Sequence, residues 1–308
     1  MASNLSTDLS NLESHLLQVH LGDNDAIEQI LGSIIAGGHC LIQGAPGLGK
    51  TRLLRELARC LSLDFQRIQG TPDLMPSDIT GSEIFNQQSS TFEFEPGPIF
   101  AQLCMFDELN RATPRSQAAL LQALEESTVS AGRITHHLPQ PFFVAATQNP
   151  IEIEGTFPLP EAQLDRFMVR IDFKQPSTEC LSKILQLDSK PVDDAPLLTA
   201  AQLIDAQQQV VAVAVADDLF LQTAKLISNT HQHDDVQLGA SPRGGQAIIR
   251  FAKALAYLRK RQHVAPQDLN DAVIPCLRHR LILGYQANAQ QLTSDDILRD
   301  ILARTPIS

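Results

Sequence analysis

The chain has 308 residues, 43% of them hydrophobic, and a formal net charge of −11. That length suits about two domains, and the acidic balance argues against nucleic acid as a partner, which calls for a strongly basic surface. The sequence lacks the run of about 20 apolar residues that a membrane span requires, its longest conspicuous one being 210–216.

The N-terminus, MASNLSTDLS, has neither a basic start nor an apolar core, so no secretory signal is expected. Residues 1–21 suggest a leading helix around Leu12, Leu16 and Leu17. The apolar stretch Cys40-Leu41-Ile42 reads as a buried strand. It runs into Gly44-Ala45-Pro46-Gly47-Leu48-Gly49-Lys50-Thr51, which fits the phosphate-loop pattern G-x-x-x-x-G-K-[ST] without departure. A helical pattern follows, with Leu53, Leu54, Leu57, Ala58 and Leu61 on one face. Glycines let the loop's N–H groups turn inward, and the helix N-terminus adds partial positive charge. Lys50 then reaches the β- and γ-phosphates, and the Thr51 hydroxyl faces Mg²⁺. Arg52 is grouped with the loop as a nucleotide contact. A nucleoside triphosphate is the expected ligand.

A second strand is expected at 65–69, then a hairpin pairing Glu83-Ile84-Phe85 with the alternating Thr91-Phe92-Glu93-Phe94-Glu95. Its aromatics Phe85, Phe92 and Phe94 either grip a client polypeptide or pack the hairpin onto the core. The run Leu103-Cys104-Met105-Phe106 ends in Asp107-Glu108. Acids are depleted within strands, and ligands of parallel sheets gather at the strands' carboxyl ends. Asp107 there holds Mg²⁺, and Glu108 activates the attacking water. Val129-Ser130 and Arg133-Ile134 around Ala131-Gly132 suggest a second hairpin. The strand at 142–146 leads to Asn149, a neutral amide able to bond the γ-phosphate or the attacking water. The bland alternative is that Asn149-Pro150 merely starts a turn.

The last core strand spans 167–173, and Arg166 precedes it as either a catalytic cation or half of a surface ion pair. Ser177 caps the next helix. The polar, Gln- and Asp-rich stretch 187–209 reads as a linker, with helices beyond it. The segment from His231 to Asp235 has two histidines and two acids that suit a metal on paper and a solvated loop in ordinary practice. Ser241-Pro242 reads as N-cap and first residue of a helix. Arg243 therefore lies in a first turn, where the dipole disfavours a cation. Function explains that placement if Arg243 is aimed at the nucleotide phosphates, and a nearby acid explains it otherwise. The basic clusters Arg259-Lys260-Arg261 and Arg278-His279-Arg280 read as solvated helix ends or subunit contacts. The five cysteines, at 40, 60, 104, 180 and 276, are scattered with no C-x-x-C. That pattern is expected of a reduced, cytoplasmic protein without disulfide framework or zinc site.

Taken in order, GAPGLGKT, FDELNRA, ATQNP, LPEAQLDRF and GASPRGG resemble the MoxR family of AAA+ ATPases over most of the chain. The resemblance implies an α/β P-loop NTPase core, a parallel five-stranded sheet between helices, with a C-terminal all-α lid. Its expected boundaries are a leading segment 1–21, a core 22–175, a connecting insert 176–216 and a lid 217–308. The resemblance also implies ATP and Mg²⁺ as cofactors and the Asn149 strand lying between the Lys50 and Asp107 strands. By motif position Asn149 resembles sensor 1, Arg166 the arginine finger and Arg243 sensor 2. Family members form hexameric rings with ATP sites between neighbours, and the first hairpin resembles the helix-2 insert near the ring axis. The implied activity is ATP-driven remodelling or maturation of a partner protein. Many members work with proteins bearing von Willebrand factor A domains, and relatives activate Rubisco or serve as chelatase subunits. A nucleic-acid motor of branch-migration type and a slow nucleotide-gated scaffold are the competing classes.

Overall fold

The computed structural model describes residues 2–131, 134–149, 155–186, 195–305 and 307. In chain order the elements begin with α1 Ala2–Val19, α2 Asn24–Ile35, β1 Cys40–Gln43, α3 Lys50–Cys60, β2 Phe65–Gln69 and α4 Pro76–Thr80. The hairpin strands β3 Gly81–Asn86 and β4 Thr91–Pro96 follow, then β5 Leu103–Asp107 and α5 Pro114–Glu126. A second hairpin, β6 Thr128–Ala131 and β7 Ile134–His137, precedes β8 Phe143–Gln148, the single turn α6 Glu161–Leu164 and β9 Val169–Asp172. The remainder comprises α7 Thr178–Gln186, α8 Ala200–Val211, α9 Asp217–Gln232, β10 Val236–Leu238, α10 Pro242–Leu258 and α11 Pro266–Leu277. It closes with β11 Ile282–Leu283, α12 Tyr285–Ala289 and α13 Ser294–Arg304.

Five parallel strands form the central sheet in the order β2-β5-β8-β1-β9. The strand leading to Asn149 thus lies between those leading to Lys50 and Asp107, as the resemblance implies. Successive side chains of a strand point to opposite faces, and in β1, β5 and β8 both faces are buried. Cys40, Ile42, Leu103, Met105, Phe143 and Ala145 join one core, whereas Leu41, Cys104, Phe106, Val144 and Ala146 join the other. Burial on both sides is why these strands read as continuous apolar runs.

The first of these cores continues without a break into the C-terminal helices, through Phe251 and Leu255 of α10 and Leu269 and Val273 of α11. Gly32 of α2 permits the approach: a Cβ there would meet the Phe251 ring at 2.7 Å. Helix α1 has a defined place too. Leu5, Leu9, Leu12 and Leu16 recur at helical spacing and are buried in the same core, with α1 against α2 and α3.

Three readings of the sequence need correction. The stretch 187–209 is not all linker: residues 187–194 lie outside the described set, but 200–209 belong to α8. Thr199 caps that helix by accepting the Gln202 N–H at 3.3 Å. Leu203, Ala206 and Val210 are buried on one face, and the glutamines of the other faces disguised that period. Nor are the basic clusters free. Arg259 pairs with Glu28, Asp268 and Asp271 at 2.7–2.9 Å, and Arg261 pairs with Asp268. Arg278 pairs with Asp172 and Asp295, and Arg280 with Asp165. His231 and His233, finally, turn to separate partners, the Ala240 carbonyl at 2.9 Å and Asp300 at 3.0 Å.

Asp268 is fully buried and also caps α11 by accepting the Ala265 N–H at 2.9 Å. Removing one member of a buried ion pair costs about 3–5 kcal/mol. Asp268→Ala should fall at the low end, since Arg259 and Arg261 retain 28% and 31% exposure and can reach water. Urea unfolding checks this; a loss below about 1 kcal/mol would mean that the arginines need no partner.

Both expected hairpins form, β3 with β4 and β6 with β7; the turn residues Gly132 and Arg133 lie outside the described set. Their aromatics divide. Phe94 stacks on His136 of β7 at 4.0 Å between ring centroids, tying the two hairpins together. Phe85 and Phe92 pair edge to face at 5.3 Å and stay 49% and 69% exposed.

Candidate active site

The phosphate loop links β1 to α3. Gly47 and Gly49 have φ of 83° and 78°, a region that costs an L side chain strain and glycine none. Nothing crowds Gly47, so there the backbone angle alone requires glycine. Lys50 Nζ donates to the Gly44 and Ala45 carbonyls at 2.6 and 3.3 Å, folding over the loop. Burial pushes its pKa down, and Asp107 and Glu108 oppose that shift. Behind the loop lies a cavity of about 290 Å³ lined by His20, Gly22, Gly47, Gly49, Arg52 and Pro176, among others.

Asp107 and Glu108 stand at the carboxyl end of β5, and one threonine joins them. Thr147 Oγ1 donates to Asp107 Oδ1 at 2.6 Å and accepts the Glu108 N–H at 2.9 Å. Arg67 takes the other Asp107 oxygen, with Nη2 at 2.5 Å and Nε at 3.1 Å. Glu108 Oε2 accepts from Gln69 Nε2 at 3.2 Å and Arg111 Nη1 at 3.0 Å. Glu108 itself has φ 55°, ψ 53°, a left-handed conformation uncommon outside glycine and often found where strain serves function. Gly70 makes room for it: a Cβ at Gly70 would collide with the Glu108 carbonyl oxygen. Asn149 follows β8 and is buried, its carbonyl accepting from Asn110 Nδ2 at 3.4 Å.

Such an arrangement fits a magnesium–nucleotide complex. The Asp107 carboxylate and Thr51 hydroxyl are hard oxygen donors of the kind Mg²⁺ prefers. The Arg67 guanidinium on Asp107 Oδ2 shows that this oxygen takes a cationic partner. When bound, the ion would supply charge neutralisation at the phosphates.

Arg166 and Arg243 lie elsewhere. Arg166 Nη1 donates to the Leu121 carbonyl at 2.9 Å and pairs with Glu125; Arg243 Nη2 donates to Glu125 at 2.7 Å. Both line a cavity of about 460 Å³ that shares no residue with the one behind the phosphate loop. Gly37, Gly38 and His39, at the amino end of β1, line the same cavity, whereas the phosphate loop follows that strand's carboxyl end, so Arg243 is not beside its own chain's loop. The acid that offsets its unfavourable place in the first turn of α10 is Glu125. Ser241 also departs from expectation: it precedes α10, but its hydroxyl makes no cap bond and donates instead to Asp165 at 3.1 Å. Asp165 in turn accepts from the buried Arg280 at 2.6 Å, which fastens the C-terminal helices to the core beside Arg166.

Reading the sequence missed Thr147, Arg67, Gln69 and Arg111. Gln69 and Arg67 alternate on β2, and Arg111 stands three residues after Glu108, but their role appears only with the register Gln69↔Asp107.

The geometry agrees with what known proteins share with this chain. The model of the ATPase family associated with various cellular activities (AAA) matches residues 39–169, and that of the AAA lid domain matches 228–301. Chaperone MoxR1 of Mycobacterium tuberculosis is 36% identical over 98% of this chain and 83% of its own length. The chain belongs to the MoxR family of AAA+ ATPases. Protein MoxR of Paracoccus denitrificans is 31% identical over 92% of each chain. YeaC of Bacillus subtilis is 39% identical over 97% of this chain and 94% of its own. A crystal structure from Cytophaga hutchinsonii superposes with a TM-score of 0.91 at 34% identity, covering 99% of this chain and 96% of that one. None of the described helices is long and apolar enough to cross a membrane.

Proposed function

We propose that this AAA+ ATPase works as a homo-hexameric ring that couples Mg-ATP hydrolysis to remodelling or maturation of a partner protein. The observation that carries this reading is the division of the site. Lys50, Asp107 and Glu108 gather at one end of the sheet, while Arg166 and Arg243 share a separate cavity. Neither half is complete, and a head-to-tail ring would join the loop of one copy to the arginines of the next. In that arrangement Lys50 and Thr51 bind the triphosphate and its ion, Asp107 holds the ion, and Glu108 accepts a proton from water. Asn149 orients that water or the terminal phosphate. Arg166 and Arg243 reach the phosphate from the neighbour, so Arg243 acts across the interface rather than within its own chain.

A chaperone-like role is favoured by the relative named Chaperone MoxR1. The client class that the family resemblance suggests is a protein with a von Willebrand factor A domain, acting in the cytoplasm. The exposed Phe85 and Phe92 on the first hairpin offer an apolar contact for such a client.

Against the nucleic-acid motor stand the net charge of −11 and the internal pairing of both arginine clusters. Non-specific DNA binders show a Kd of about 10⁻⁴–10⁻⁶ M at physiological salt. Fluorescence anisotropy at about 150 mM salt should give no stable DNA or RNA complex, and nucleic acid should not stimulate hydrolysis. Submicromolar binding, or stimulation by DNA, would overturn the remodelling reading.

A further inference from the structure

Glu125 lies in the last turn of α5, outside the motifs that carry the family resemblance, and on sequence alone is an ordinary helix acid. Its two carboxylate oxygens are divided between the two arginines, Oε1 taking Arg243 Nη2 and Oε2 pairing with Arg166 Nη1. The same helix supplies a second acceptor one turn earlier, the Leu121 carbonyl that receives Arg166 Nη1 at 2.9 Å. The C-terminal end of a helix carries partial negative charge, so α5 presents an acid and its own dipole to two cations at once. Two adjacent guanidiniums repel each other; a carboxylate between them removes most of that penalty and fixes their spacing.

Glu125 does not exhaust them. A guanidinium has five N–H donors, and Arg243 directs only Nη2 at Glu125. Arg166 Nε is buried without a partner among the described residues, the state expected of a site awaiting a ligand or a rearrangement. Arg166, Glu125 and Arg243 are 27%, 40% and 55% exposed, a gradient that opens towards Arg243. Both guanidiniums also hold the Glu125 carboxyl below its usual range, Arg243 by hydrogen bonding and Arg166 by its charge, so the acid stays ionised wherever the arginines are useful.

Resting on the ring reading above, we propose that Glu125 is a positioning residue of the composite active site: it holds Arg166 and Arg243 side by side as one clamp for the terminal phosphate of the adjoining copy's nucleotide. A misplacement of about 1 Å at a reacting centre can cost as much as a hundredfold in rate. Glu125 bonds to the two arginines and shares their cavity at the amino end of β1, away from the residues that line the loop's cavity, so its loss should leave nucleotide binding alone.

Glu125→Gln keeps the side chain's length and removes its charge. Its kcat should fall by up to about a hundredfold with KM for ATP unchanged. The deciding measurement is which half of the site is damaged. Mixed with Glu108→Gln, the Glu125→Gln protein contributes an intact loop and Glu108→Gln contributes intact arginines, so turnover should recover. Mixed with Arg166→Ala it should not, because both lesions fall on the same half. A merely structural role would not sort the partners in this way. Recovery with Arg166→Ala, no recovery with either partner, or a Glu125→Gln turnover within twofold of wild type would each overturn the assignment. Should Arg166→Ala itself keep full hydrolysis, the ring reading would fail first and the role of Glu125 with it.

Discussion

Arg166→Ala should bind Mg-ATP as the wild type does and lose hydrolysis by about 10³–10⁵-fold, or roughly 4–7 kcal/mol of barrier. The two halves of that expectation have separate causes. Binding survives because Lys50 and the acids gather at the carboxyl ends of β1 and β5, whereas Arg166 lies in a cavity lined by Gly37, Gly38 and His39 at the amino end of β1. Turnover falls because the terminal phosphate loses a cation that no group in its own chain replaces. Were Arg166 only the surface partner of Glu125, its removal would cost under about 1 kcal/mol of stability and leave turnover near the wild-type level. The sharper form mixes two inactive proteins, Arg166→Ala and Glu108→Gln. In a randomly mixed head-to-tail ring about a quarter of the interfaces unite an intact Glu108 with an intact Arg166. Activity should therefore return on mixing, to at most that quarter. If it stays absent while fluorescence transfer shows that subunits exchange, Arg166 acts within its own chain and the shared site is wrong.

The sequence made most of this site readable because phosphate chemistry constrains it locally. The turn at Gly47 and Gly49, the lysine after it and the acids ending an apolar run all depend on neighbours within a few positions. The strands at 40–43 and 103–107 fall where apolar runs placed them, β2 matches its expected span 65–69 although only Phe65 and Ile68 in it are apolar, and β8 extends only slightly past its expected end. Long-range pairing stayed hidden. Arg67 and Gln69 serve Asp107 and Glu108 across about 40 positions, and only the parallel register brings them together. Ser241 has the residue type and position of a cap, yet Asp165, distant in sequence, claims its hydroxyl. Arg243 broke a local rule for a reason that local reasoning could not name, a carboxylate 118 positions earlier. In α8 the failure was different: polar composition outweighed a short apolar stripe whose value depends on α2 and α10 packing over it.

Glu108→Gln should fold, bind Mg-ATP and hydrolyse it about 10²–10⁴-fold more slowly, the usual worth of a general base. The substitution is nearly isosteric, and the left-handed backbone at this position is set by Gly70 and the Thr147 hydroxyl rather than by the carboxylate. Stability should hardly move: the ion pair with Arg111 has side-chain exposures of 43% and 26%, and such partly exposed pairs contribute about 1 kcal/mol or less. What disappears is the proton acceptor. Among the described residues the wild-type carboxylate is held at one oxygen, Oε2, by Gln69 and Arg111, leaving Oε1 to meet a water molecule. An amide in its place keeps a hydrogen-bond acceptor but cannot take the proton as the water attacks. Isothermal titration with Mg-ATP and a steady-state phosphate-release assay separate these effects. Retention of more than about a tenth of wild-type turnover would mean that Glu108 is not the base. Attention would then shift to Asp107, the other carboxylate at the carboxyl end of β5.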